Sequence, residues 1–217
     1  MPASSKIVDL RNLLAERFPQ APALSEQLRV RTGLAALDEA TGGGLPKGAI
    51  TELASPQVSA GSALLIYRLL RTAHAERYFV ALIDGRDSFD PFSAGESLLR
   101  NLLWVRCTKT LDAVKAADLL LRDGNFPLLI LDLVLNAPEE LRKIPQTSWY
   151  RLQRLVEPAP TAFLVLTRRS MISSAQLKLV LENRCGLRDL QASGNFDRLK
   201  FSLQRVHGGR NHIVGVG

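Results

Sequence analysis

From about Val30 onward, continuous apolar runs alternate with segments in which an apolar residue recurs every three or four positions. Runs such as PLLILDLVL and TAFLVLT are typical of strands that are buried on both faces of a sheet. The runs predict strands at Ile50–Ala54, Tyr78–Asp84, Leu102–Arg106, Leu128–Leu133 and Ala162–Thr167. The periodic segments predict helices at Ser62–Ala75, Gly95–Arg100, Leu111–Asp123 and Thr147–Glu157. This alternation predicts an α/β fold with a mostly parallel sheet flanked by helices.

The beginning of the chain departs from this alternation. The segment SKIVDLRNLLAERF predicts an amphipathic helix, and the proline-rich stretch after it reads as a linker. We therefore divide the chain into an N-terminal helix and linker, residues 1–29, and a core domain, residues 30–217. The apolar face of the helix carries Leu10, Leu14 and Phe18, which either dock on a partner protein or fold back on the core.

The end of the chain also departs from it. The segments LRDLQAS and RLKFSLQRV alternate more openly and predict an antiparallel extension of the sheet, with HGGRN as a turn and IVGVG as a last strand. The segment SMISSAQLKLVLENRCG, which precedes them, has the spacing of a short helix. It contains no long glycine-rich stretch.

Charge and composition limit the classes of function that this chain could have. The 217 residues include 28 basic and 21 acidic side chains, for a net charge of +7. This balance favours contact with nucleic acid or an acidic partner, although it also fits an ordinary solvated surface. No run reaches the roughly 18 apolar residues of a membrane span, and the N-terminus lacks the apolar block of a secretory signal. We therefore expect a cytoplasmic protein, with no membrane contact and no metal or cofactor.

The segment SPQVSAGS follows the first predicted core strand and precedes a helix, where a phosphate-binding loop G-x-x-x-x-G-K-[ST] would lie. When the two are overlaid, the first glycine position is Ser55, the second is Ala60, and the lysine position is Gly61. Only Ser62 matches. Ser62 either holds a magnesium ion bound to phosphate or caps the helix that follows.

The segment before that loop, RTGLAALDEATGGGLPKGAITEL, gives the overlay its weight. It resembles the lead-in to the core of the RecA superfamily and is called the lead-in segment below. Its parts are Thr32-Gly33, Leu37-Asp38, Gly42-Gly43-Gly44 and Leu45-Pro46-Lys47-Gly48. In that order they predict a capped short helix, a turn that requires positive φ, and a proline-fixed step into a buried strand.

The resemblance covers about residues 30–170 and implies roles for particular positions. Asp90-Pro91 matches the family's Asp-Pro pair, and Asp132 corresponds to the acid linked to magnesium. The water-activating glutamate position is Arg86, and the nucleotide-sensing position is Arg168. Without the lysine, charge on the β- and γ-phosphates is uncompensated, and without the glutamate no group at that position accepts a proton from water. We therefore expect a degenerate nucleotide site and no enzymatic activity.

Each of these side chains also has a structural alternative. Arg86 and Arg168 would pair across the old phosphate pocket with acids such as Asp84, Asp87 or Asp132. Asp132 would be a remaining carboxylate that accepts hydrogen bonds from neighbouring backbone amides.

Within the superfamily, the chain resembles the ImuA family of bacterial SOS mutagenesis cassettes. The similarity lies in LRNLLAERFP, the lead-in segment, NLLWVRC, AVKAADLLLRDGNFPLLILDL and LKFSLQRVHGG. It implies an accessory role in damage-induced translesion synthesis, through a polymerase-like cassette protein, RecA itself and an error-prone polymerase. Self-association through the surfaces that recombinase protomers use is a further expectation.

Basic residues give a candidate DNA-binding set: Arg168, Arg169, Lys200, Arg205 and Arg210. Contacts of this kind to phosphate would be independent of sequence and would weaken steeply with salt. The alternative is that these side chains are ordinary surface charge or bind an acidic protein.

Two other functions compete with the adaptor. One is an active RecA-like ATPase in which Lys47 or an arginine replaces the missing lysine. The other is a cell-division inhibitor that resembles SulA, which has a shortened RecA-like core without nucleotide chemistry.

Overall fold

A seven-stranded sheet is the centre of the computed structural model, which describes residues 28–57, 61–183 and 199–206. Its strands are β3 (Ala49–Ala54), β4 (Val80–Asp84), β5 (Leu102–Arg106), β6 (Leu128–Asp132), β7 (Ala162–Thr167), β8 (Leu177–Leu181) and β9 (Phe201–Val206). They are ordered β5-β4-β6-β7-β3-β8-β9, and all neighbours are parallel except β8 and β9. A separate antiparallel pair joins β1 (Arg29–Val30) to β2 (Leu45–Pro46).

Helices cover both faces of the sheet. Those in the described residues are α1 (Ala35–Ala40), α2 (Ser62–Glu76), α3 (Pro91–Ala94), α4 (Glu96–Leu99), α5 (Thr110–Asp123), α6 (Pro138–Arg142) and α7 (Gln146–Val156). α2 packs on one face, against a cluster that includes Val80 and Leu82, while α5 and α7 pack on the other, against Ala81 and Ile83. Successive strand residues thus enter different cores, which explains the continuous apolar runs. No helix in the described ranges is long and apolar enough to cross a membrane.

The α/β fold predicted from the sequence is confirmed. All five predicted core strands are present, and the largest change of bounds is the start of β4 at Val80 instead of Tyr78. The helix predicted at Gly95–Arg100 is present as α4, one residue shorter at each end, and an additional helix, α3, meets it at Gly95 with φ 77°. The predicted N-terminal helix, with Leu10, Leu14 and Phe18, lies outside the described residues, so the proposed domain division stays a prediction.

The helix predicted in SMISSAQLKLVLENRCG is wrong, because Leu177–Leu181 forms strand β8. Leu177, Leu179 and Leu181 are buried, and the residues between them are half-buried, a period of two. β9 pairs with β8 in antiparallel orientation, which confirms that part of the predicted extension. The segments LRDLQAS, HGGRN and IVGVG lie outside the described residues.

The lead-in segment forms the predicted short helix and glycine turn, but the predicted cap is wrong, because the N-cap of α1 is Leu34 and no side chain caps the helix. The carboxylate of Asp38 accepts hydrogen bonds from the backbone N–H of Thr32 at 2.9 Å and from its hydroxyl at 2.7 Å, which ties α1 to the chain before it. Gly42, Gly43 and Gly44 all have positive φ, the last at 124°, which confirms the predicted turn. A side chain at Gly44 would lie 2.2 Å from the carbonyl oxygen of Val30, so this turn also requires close backbone contact.

Candidate functional site

A cavity of about 280 Å³ lies at the edge of the sheet where the parallel strands β4 and β6 end. This is the edge at which open α/β sheets bind ligands. Its walls come from the first turns of α2, the loop and helix that follow β4, and the loop that follows β6. The lining residues are Ser62, Ala63, Ile66, Tyr67, Ser88, Phe89, Asp90, Ser93, Ala94, Asp132, Val134 and Leu135.

Two aspartates end the neighbouring strands β4 and β6 at the same register position. The buried carboxylate of Asp84 accepts hydrogen bonds from the backbone N–H groups of Ser88 and Phe89, both at 2.7 Å, and from that of Arg86 at 3.2 Å. Asp84 therefore folds the loop after β4 into the wall that carries Ser88 and Phe89. Its carboxylate is committed to this structural role.

Asp132, in contrast, is open to the cavity. One of its carboxylate oxygens accepts a hydrogen bond from the backbone N–H of Val134 at 3.0 Å. Burial raises the pKa of Asp132 from 3.8 to about 6, and the charge of Asp84 adds to the rise, while the Val134 N–H opposes it. The prediction that this carboxylate bonds a neighbouring amide is confirmed, and the side chain still faces the space that a ligand would occupy.

The start of α2 holds the residues of the degenerate phosphate loop. Gly61 is the N-cap of the helix with φ 98°, so the lysine position is a left-handed residue without a side chain. The capping role considered for Ser62 is wrong, because Ser62 is the first helical residue and its side chain lines the cavity. Ser55 is buried, and its hydroxyl donates to the carbonyl oxygen of Gln57 at 3.2 Å. Ala60 lies outside the described residues.

The sequence offered Asp84, Asp87 and Asp132 as partners for Arg86, but its side chain pairs with none of them. Its guanidinium lies 3.8 Å from the carboxylate of Glu140, on the side of α6. Asp87 instead binds Arg106, at 2.6 Å and 2.7 Å to its two oxygens. The local reason is that Asp84 draws the backbone of Arg86 into its turn, which leaves the side chain on the far side of the loop.

Behind Arg86 lies a buried polar network. The side-chain amide of Asn136 donates to the carbonyl oxygen of Gly85 at 2.9 Å and to the hydroxyl of Thr110 at 2.8 Å. That hydroxyl donates to Glu140 at 2.7 Å, the main reason that the pKa of Glu140 is lowered. The network fixes the β4 loop to α5 and α6, and it contains no group that reaches the cavity lining.

The basic residues predicted to contact DNA are divided by the fold. Arg168 and Arg169 directly follow β7, and Lys200 directly precedes β9, which places all three at the cavity edge of the sheet. At about 4.8 Å per strand, β7 and β9 are separated by roughly 14 Å. Arg205 pairs in register with Lys178, near the other end of β8, so it does not join this group. Arg210 lies outside the described residues.

The side chain of Arg168 is half-buried, and within the described ranges its Nε has no hydrogen-bond partner. The predicted ion pair of Arg168 with Asp84, Asp87 or Asp132 is therefore not formed in the described part of the chain. Arg169 is exposed.

Lys47 is excluded as a replacement for the missing lysine. It precedes β3, whereas the cavity lies beyond the other end of the strands. At about 3.3 Å per residue, β3 alone separates the two by roughly 16 Å. Burial lowers the pKa of Lys47 where it is.

Sequence reasoning named Asp84 only as a partner for an arginine and missed that it organises the cavity wall. The available signal was a carboxylate at a strand end followed by Gly85 and Ser88, the composition of a side-chain-stabilised turn. The apolar lining, from Ile66 to Phe89, had no such signal because its members are far apart in sequence.

The fold and this site define an α/β protein with a mostly parallel sheet and a ligand-sized cavity at the carboxyl edge of that sheet. Over 108 residues, 48% of this chain, it is 34% identical to Protein RecA of Frankia alni. The RecA proteins of Xylella fastidiosa and Teredinibacter turnerae are each 32% identical over 108 residues. The chain is RecA-like.

The match is partial. It covers 31% of each of these relatives, so the chain spans about a third of the length of the curated relatives it matches. No family model matches the chain.

Proposed function

We propose that this chain is a cytoplasmic RecA-like module that does not hydrolyse ATP and that acts as a docking body in SOS-induced, error-prone translesion DNA synthesis. It would hold a polymerase-like cassette protein, RecA and an error-prone polymerase together, with sequence-independent DNA contact as a second activity.

The composition of the cavity carries the first part of the proposal. Its described lining contains two carboxylates, Asp90 and Asp132, and no lysine or arginine. The loop residues outside the described ranges, Val58-Ser59-Ala60, carry no charged side chain. A triphosphate needs cations to compensate its charge in the transition state, and this lining supplies the opposite sign.

The position of Arg86 supports the same conclusion. It stands where an ATPase of this superfamily carries the glutamate that activates water, and its side chain faces Glu140 outside the cavity lining. The two carboxylates of the described lining are Asp90, which caps α3, and Asp132, which follows β6, and neither occupies the position of that glutamate.

The role in translesion synthesis is supported by the resemblance to the ImuA family in LRNLLAERFP before the core, in the lead-in segment, and in NLLWVRC, AVKAADLLLRDGNFPLLILDL and LKFSLQRVHGG of the core. The partial similarity to RecA proteins supports a context of DNA repair and recombination. A RecA-like core without turnover still presents the outer surfaces of its helices and its exposed basic residues to partners and DNA.

The test combines nucleotide binding with partner capture. We expect the full-length protein to show neither saturable binding of ATP with magnesium nor release of phosphate, in assays where a RecA protein gives both. It should retain the polymerase-like protein on an affinity column. Measurable turnover that Asp132→Asn abolishes would disprove the non-catalytic part, and capture of the bacterial division tubulin instead would support the SulA-like alternative.

A further inference from the structure

The cavity has a second property, the combination of a half-buried carboxylate with aromatic and aliphatic walls. That carboxylate is Asp132, whereas the other acidic residue of the lining, Asp90, is exposed. The walls include Tyr67 and Phe89, and the ring of Phe89 is held edge-to-face against Trp104 with centroids 5.4 Å apart. A pocket of this composition selects ligands by charge at one point and by flat or aliphatic contact around it.

An anion is the wrong ligand for this lining, because the described wall contains no cationic side chain and two acidic ones. A metal ion is also disfavoured. In the described ranges no group of three or more histidine, cysteine, aspartate or glutamate side chains is placed to hold one. Hard divalent ions take six or more oxygen ligands, and six of the twelve described lining residues are apolar and supply no side-chain oxygen.

The two carboxylates differ in what they still offer. Asp90 caps α3, where it accepts hydrogen bonds from the backbone N–H of Phe92 at 3.0 Å and from the hydroxyl of Ser93. Those bonds, chiefly that of Ser93, lower the pKa of Asp90, so it keeps its charge. Asp132 accepts one backbone hydrogen bond, and its second oxygen accepts none from the described residues. Asp132 is therefore the carboxylate of the lining that remains able to bind a cation.

We propose that this cavity receives an arginine side chain of a partner protein, with the guanidinium on Asp132 and the aliphatic stem along the apolar walls. The inference rests on the proposed function, since it requires a pocket that nucleotide does not fill. Arginine suits the site because its planar, weakly hydrated guanidinium both pairs with carboxylate and stacks on aromatic faces. The volume of about 280 Å³ is at the lower limit of the roughly 300–1,000 Å³ of small-molecule pockets, a size appropriate to one side chain.

The surface around the cavity indicates that the cation belongs to a protein and is not a free amine. Phe92, beside the lining residue Ser93, is 94% exposed, and Leu135, which lines the cavity, is 45% exposed. Exposed large apolar side chains around a pocket are typical of a surface that another protein covers.

The test uses a blocked arginine, N-acetyl-arginine methylamide, as the probe and the isosteric blocked citrulline as its neutral control. Amide chemical shifts of the full-length protein are followed by NMR during titration. We expect saturable shifts confined to the cavity lining, including Ser62, Ser88 and Leu135. Citrulline should bind at least about tenfold more weakly, because the charge-assisted pair is lost.

Two variants locate the effect. Asp132→Asn should weaken arginine binding at least about tenfold, since it removes the charge and keeps the shape. Asp112→Asn, which removes an exposed carboxylate on α5, should leave it unchanged. Ala63→Phe, at an exposed helix position of the lining, should block the site without any change of charge. Circular dichroism of each variant establishes that it is folded.

The outcomes separate the two proposals. Absence of localised shifts up to the solubility limit, equal binding of citrulline, or insensitivity to both Asp132→Asn and Ala63→Phe would overturn the arginine site. Magnesium ions alone producing the same localised shifts would also overturn it, in favour of a metal site. If ATP with magnesium shifts the same residues and is hydrolysed, the proposed function fails as well. If neither ATP nor arginine binds, only this inference is lost.

Discussion

The ammonium group of Lys178 lies 3.0 Å from the carboxylate of Glu52, between two residues that face each other in the parallel strands β8 and β3. Glu52 is buried in the centre of the sheet, and it also accepts the backbone N–H groups of Met171 at 2.6 Å and Ile172 at 3.0 Å. Glu52 therefore attaches the segment that follows Arg168 and Arg169 to strand β3. It connects the core of the sheet with the edge that carries the predicted DNA contacts.

Loss of that lysine should be strongly destabilising. Lys178→Met leaves Glu52 charged and buried with backbone and serine donors only, so we expect a loss of about 3 kcal/mol in the free energy of unfolding. Lys115→Met is the control, because it breaks an exposed pair with Asp112 and should change stability by less than about 1 kcal/mol. Urea denaturation of both variants measures the difference, and equal small effects would contradict the structural role of Glu52.

The network behind the β4 loop gives a second prediction. Asn136→Ala removes the donor to the carbonyl of Gly85 and to the hydroxyl of Thr110, both buried. We expect a loss of about 1–3 kcal/mol, since buried acceptors are left without partners. Asn125→Ala, at an exposed asparagine whose side chain donates to the carboxylate of Asp123, should have almost no effect. Thermal unfolding compares the two, and an unchanged midpoint for Asn136→Ala would refute the network's contribution.

Asp132 should make stability depend on pH. Because its pKa is raised from 3.8 to about 6 in the folded protein, the folded state binds more protons than the unfolded chain between those values. Stability contributed by this group is therefore present below pH 4 and is lost as pH rises through 6. Asp132→Asn should raise the free energy of unfolding at pH 8 by up to about 3 kcal/mol, at 1.36 kcal/mol per pKa unit.

The measurement is urea denaturation of wild type and Asp132→Asn at pH 4 and pH 8. Near pH 4 the two proteins should differ little, because the aspartate is protonated. A variant that is less stable than wild type at pH 8 would show that the carboxylate has a stabilising partner in solution.

The basic edge should determine DNA affinity. Removing Arg169 and Lys200 together, as Arg169→Ala with Lys200→Ala, should weaken binding to any DNA sequence and flatten its salt dependence. Each lost phosphate contact lowers the slope of log K against log salt by about 0.9 on duplex and about 0.7 on single strands. Fluorescence anisotropy at several salt concentrations measures the slope. Lys115→Ala, exposed on α5, is the control and should leave the slope unchanged.

Helices and strands could be predicted from the sequence where the spacing of the apolar residues fitted one of the two and not the other. β6 and β7 are continuous apolar runs and were placed within one residue of their bounds. β8 was mistaken for a helix because its apolar residues fit two periods. Leu177, Val180 and Leu181 have helical spacing, whereas Leu177, Leu179 and Leu181 have the spacing of a strand. A five-residue segment carries too little periodicity to separate the two, and pairing with β3 decides it.

The sequence by itself determined the α/β alternation, the lead-in segment and the loss of the lysine and glutamate positions. It did so because backbone preferences and burial on both faces of a strand act over a few neighbouring residues. Only the tertiary structure decided that Asp132 faces a cavity whose described lining holds no lysine or arginine, that Arg86 lies next to Glu140, and that Arg205 lies far from Lys200 along β9. Those relationships depend on strand order, register and loop direction, which bring together side chains separated by tens of residues, and no local pattern encodes the distance between them.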